Sequence, residues 1–113
     1  MKRDAKNPYA LNNLAFLMAR EGKDLKKALQ LAEEARRVLP RSHEINDTLA
    51  YVYVLLDMRR NALAALEELA NDGPGNQRQR NRNLIAQINS GNLLAVRTEM
   101  ERGADDLNGG NGL

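Results

Sequence analysis

Residues able to do chemistry are few in this sequence. His43 is the single histidine and no cysteine accompanies it, so neither a histidine pair nor a thiolate site can form around it. It follows Ser42, a residue type suited to a helix N-cap, and its expected place is a solvated first turn. Ser42 and Ser90 fall at turn positions, without the Gly-rich phosphate loop or the nucleophile elbow that would give a serine work to do. Glu33-Glu34 and Glu67-Glu68 supply carboxylates, yet both pairs fall on the polar side of amphipathic segments, where nothing would tune an acid and a base apart. The sequence predicts a protein that is not an enzyme, with no catalytic residue, no metal ligand and no cofactor.

What remains is charge. Arg78, Arg80 and Arg82 interrupt a stretch without apolar residues, "GNQRQRNRN", and Arg97 and Arg102 follow. The first three stand near the start of an expected helix, where the helix dipole disfavours cations, so local stability does not account for them. A net charge of +2 is nevertheless too small to point to nucleic acid or a membrane. No apolar run approaches the roughly 20 residues of a membrane span, and Met1 to Asp4 leads into no signal-type core. A cytoplasmic setting is favoured. With 113 residues, 42% hydrophobic and 28% charged, the chain suits one domain with a real core.

The elements that must position these residues are helices. Apolar residues recur at helical spacing as Leu11, Leu14, Ala15 and Met18, as Leu25, Ala28, Leu29, Ala32 and Ala35, as Ile45, Leu49, Val52, Tyr53 and Leu56, and as Ala62, Leu63, Leu66, Leu69 and Ala70. Asn7-Pro8, Asp24 and Ser42 mark N-termini; Gly22, Gly73 and Gly91 suit the left-handed position after a helix end. Connections this short predict antiparallel hairpins. The hairpins also repeat: Leu14 to Leu49, Ala15 to Ala50 and Met18 to Tyr53 are 35 apart, and Ala28 to Ala62, Leu29 to Leu63 and Pro40 to Pro74 are 34 apart. One extra residue in the Gly22-Lys23-Asp24 turn explains the difference. A worn third hairpin follows, with Leu84, Ile85 and Ile88 on one face and Leu93, Val96 and Met100 on the other.

The period and residue types resemble the tetratricopeptide repeat, which places a large residue, a Leu-Gly pair and a Tyr on the first helix, then Ala, an aromatic and a Pro. Here the matching residues are Leu11, Leu14-Ala15, Met18, Ala28, Ala32 and Pro40, then Asn46, Leu49-Ala50, Tyr53, Ala62, Leu66 and Pro74. Small residues let two helix backbones approach; the departures thin the aromatic core and leave the spacing intact. The last hairpin, "GNLLAVRTEMERGAD", also resembles the second helix and exit of an ankyrin repeat, but one such unit could not bury its face alone. The expectation is an all-α chain, an α-solenoid of antiparallel helix-turn-helix repeats at about 8–42, 43–76 and 77–103, the third acting as a cap. The domain would span 1–105 and a flexible tail 106–113. Opening almost directly on a repeat helix is expected of a piece of a longer array.

The resemblance implies a function: in this family the first helices of successive repeats line a concave groove that holds an extended peptide or a partner helix. Carried over residue by residue, that groove is lined by Tyr9, Asn12, Asn13 and Phe16, and by Glu44, Asp47, Thr48 and Tyr51. Registering the third repeat from Leu84 and Ile88 adds Arg82, and registering it from Pro74 adds Arg78 as well. Asn13 and Thr48 would hold a ligand backbone, Phe16 and Tyr51 would supply apolar area, and Arg82 would favour an acidic protein or peptide partner. RNA binding through Arg78, Arg80, Arg82, Arg97 and Arg102 is the alternative, opposed by Glu44 and Asp47 in the same groove. Self-association through Phe16, Val54 and Leu55 stays open.

Overall fold

The computed structural model describes residues 7–72 and 75–108. Six helices follow one another: α1 (Pro8–Glu21), α2 (Leu25–Val38), α3 (His43–Leu55), α4 (Arg59–Asp72), α5 (Gly75–Asn89) and α6 (Leu93–Asn108). There is no strand among the described residues. Pro74, Gly73 and residues 109–113 of the expected tail lie outside them. α6 itself continues past 105 into the stretch expected as tail.

The helix starts follow from their caps. Asn7 Oδ1 accepts from the Tyr9 and Ala10 amides, Asp24 Oδ1 from Lys27 N and Ser42 Oγ from Ile45 N, each satisfying amides that a first turn leaves without partners. The three hairpin turns share one hydrogen-bond pattern. Lys23 N donates to Met18 O, Met58 N to Tyr53 O and Asn92 N to Gln87 O, while Gly22, Asp57 and Gly91 donate to Ala19, Val54 and Ile88. This closure needs a left-handed residue after the helix. Gly22 (φ 73°) and Gly91 (φ 88°) adopt it freely, and Asp57 (φ 60°) adopts it against steric preference.

Helices of a pair pack on each other, α1 on α2 and α3 on α4, and the pairs join through α2 against α3, α1 against α3 and α5 against α4. Alanines are among the most deeply buried residues of these helices. Ala15, Ala28, Ala32, Ala50 and Ala62 are all 0% exposed, as the repeat spacing predicts for contacts that admit only a methyl group. Around them Ile45, Leu49, Val52, Leu66, Leu84 and Val96 complete one core. Asn46, at a position where the spacing expects a large apolar residue, donates from Nδ2 to Pro40 O and ties the start of α3 to the end of α2.

Burial also sets the register of the third hairpin. Asn81, Leu84 and Ile88 are buried, matching Asn46, Leu49 and Tyr53 at an offset of 35. α6 then departs from the earlier pattern: it packs on α3 as well as on its own partner α5.

Two substitutions separate packing from backbone strain. Ala50→Leu is expected to cost about 1–3 kcal/mol by overpacking, read as a lower urea midpoint. Gly22→Ala is expected to cost about 1–2 kcal/mol from the left-handed backbone alone, because an added Cβ would meet nothing within 4 Å. An unchanged midpoint for Ala50→Leu would remove Ala50 from the helix crossing.

Candidate functional site

On α1, Tyr9, Asn12, Asn13 and Phe16 are spaced three and four apart, and so are Glu44, Asp47, Thr48 and Tyr51 on α3; each set therefore shares a helix face. The α1–α3 contact brings the two sets together, with the Phe16 and Tyr51 rings 5.5 Å apart and tilted by 41°.

Several of the expected roles change at this level. Tyr51 is 2% exposed and belongs to the core, so its ring offers no free apolar surface to a ligand in this arrangement. Its neighbours explain why: Phe16 covers one side, and its hydroxyl donates to Glu101 Oε2 of α6 at 2.7 Å. Thr48 is buried and its hydroxyl donates to Glu44 O one turn back, so it is spent within its own helix. Asp47 accepts from Arg80 of α5 at 3.3 Å. Tyr9, Asn13, Glu44 and Arg82 are exposed. Asn12 is 8% exposed and its Oδ1 has no hydrogen-bond partner, an arrangement that costs stability unless a donor reaches it. Val54 is buried, which removes it from the expected self-association surface and leaves Phe16 and Leu55 half-buried.

Sequence reasoning missed two residues. Arg80 lay outside the groove in either register, yet it bridges α5 to α3. Glu101 is the second. The signal available for it was the four-residue spacing of Arg97 and Glu101, which form an ion pair at 3.1 Å beside the buried Val96 and Met100.

Arg80 pairs with Asp47, Arg97 with Glu101 and Arg102 with Glu99, while Arg78 and Arg82 are exposed on α5. Elsewhere a polar cleft of about 490 Å³ opens where α2 ends and α3 begins, lined by Arg36, Arg41, His43, Asn46 and Glu68 among others. The Arg36–Glu68 ion pair at 3.4 Å lies in it, and it shares no residue with the α1/α3 face. No group of three His, Cys, Asp or Glu residues that could hold a metal occurs among the described residues, and no described helix is long and apolar enough to cross a membrane.

Compared with family models, with curated proteins and with solved structures, the chain matches none. The reading of the site therefore rests on its own geometry.

The ionisable groups of the α3–α6 junction set its expected response to pH. Burial pushes the Tyr51 phenol up, and the hydrogen bond and charge of Glu101 push it further. Burial also acts to raise Glu101, but the hydrogen bonds from Tyr51 and Arg97 and the charges of Arg97 and Arg20 outweigh it and hold the carboxyl below its usual range. A lowered carboxyl contributes stability above its unfolded value of about 4.3, lost as pH falls through the folded value; a raised phenol contributes below about 10, lost as pH rises beyond it. The junction is expected to hold from about pH 5 to about pH 9 and to loosen below about pH 4. Amide chemical shifts of α6 followed across this range check it, and Tyr51→Phe should abolish the alkaline arm.

Proposed function

We propose that this chain is a non-catalytic protein–protein interaction module, a tetratricopeptide-like helical solenoid that binds a peptide or partner helix on the face made by α1 and α3. The observation that carries the reading is the side-by-side packing of the first helices of two successive hairpins, with Phe16 beside Tyr51 at its centre. The repeated turn hydrogen bonds and the fully buried alanines at equivalent positions support the solenoid.

On that face Tyr9 and Asn13 are exposed and Phe16 is half-buried. Arg82 lies exposed on the adjoining α5 and favours a mildly acidic ligand.

The test is selection of peptides from a random library on the intact chain, followed by amide chemical-shift mapping. Perturbations are expected at Asn13, Phe16 and Asp47, and Arg82→Glu should weaken binding more at low salt than at high salt. Perturbations confined to Glu33 of α2 and Glu67 of α4 would move the functional surface to the opposite side.

A further inference from the structure

The face proposed to bind a helix already touches one. α6 packs on α3 and α5 over narrower interfaces than those joining α1 to α5. Among its described side chains Val96 and Met100 are buried, one turn apart, and the next residue, Glu101, receives the Tyr51 hydroxyl at 2.7 Å. Arg97 Nε holds the same carboxylate oxygen at 3.1 Å, which orients the acid toward α3. Leu94, in the first turn of α6, is 71% exposed and left uncovered.

A segment seated in this way describes the ligand that the seat accepts. We infer that α6 is a tethered occupant of the α1/α3 face, seated on its α3 side, and that the external ligand is an amphipathic helix of the same pattern, two apolar residues four apart followed by a carboxylate, which binds by displacing α6. The inference rests on the α1/α3 reading of the function. Arg20 near the end of α1 adds positive potential beside Glu101, so a helix with a neutral or basic residue at that place is discriminated against. Tethering holds α6 at an effective concentration of the order of millimolar, so a competing helix sees an affinity reduced by the fraction of chains that are closed.

The probe is a fluorescent synthetic peptide of residues 93–108, titrated against the full chain and against full-length Glu101→Lys and Met100→Ala variants, each of which weakens the chain's own α6. Both variants should bind the peptide about tenfold or more tightly than the unmodified chain, and a peptide carrying Glu101→Lys should bind neither. Variants that keep the amide shifts of α1 to α4 yet bind the peptide no better than the unmodified chain overturn the inference, as does loss of the α1 to α4 fold in both, which would make α6 a support that fold cannot lose. If the peptide fails while library-selected peptides still perturb Asn13 and Asp47, only the tethered-occupant inference falls. Perturbations confined to Glu33 and Glu67 remove the α1/α3 reading itself.

Discussion

Everything in this molecule depends on how closely its helix backbones approach. Alanines with no exposed surface stand on each of the first four helices: Ala15 on α1, Ala28 and Ala32 on α2, Ala50 on α3, Ala62 on α4. Close approach brings more apolar neighbours into van der Waals contact per unit length, which lets a chain with a single phenylalanine and no tryptophan build a continuous core. It also fixes the distance between α1 and α3. That distance brings Phe16 to Tyr51, and everything proposed for the α1/α3 face follows from that meeting.

The fold was largely legible because its signals are local and repeated. Helical spacing, caps at Asn7, Asp24 and Ser42, and glycines at 22 and 91 each constrain a few neighbouring residues, and each is found in place. The Asp57 turn follows the same geometry without a glycine, because its hydrogen bonds repeat those at Gly22. The third hairpin was harder to place, since Asn81 is fully buried where the spacing of Leu84 and Ile88 alone expects a large apolar residue.

The candidate site was legible only by helix face. The family resemblance placed Phe16 and Tyr51 in one groove, but it could not show that α6 would reach across to α3, since that contact joins residues 50 positions apart with no repeat to predict it. Thr48 illustrates a second kind of loss: a hydroxyl on the right face bonds back to its own helix and is withdrawn from recognition. Arg80 shows the reverse, a residue outside the expected groove that reaches it because its long side chain spans from α5 to Asp47.

If α6 is an occupant rather than a pillar, its opening must cost less than unfolding the rest. Native-state amide hydrogen exchange measures that difference directly, since helices held by narrow interfaces open as separate units below the global free energy. The account predicts that amides of residues 96–102 exchange through a local opening while those of α3 around Leu49 to Tyr53 stay protected to the global limit. Exchange of both segments at one common free energy, under every denaturant concentration below the unfolding transition, would contradict it.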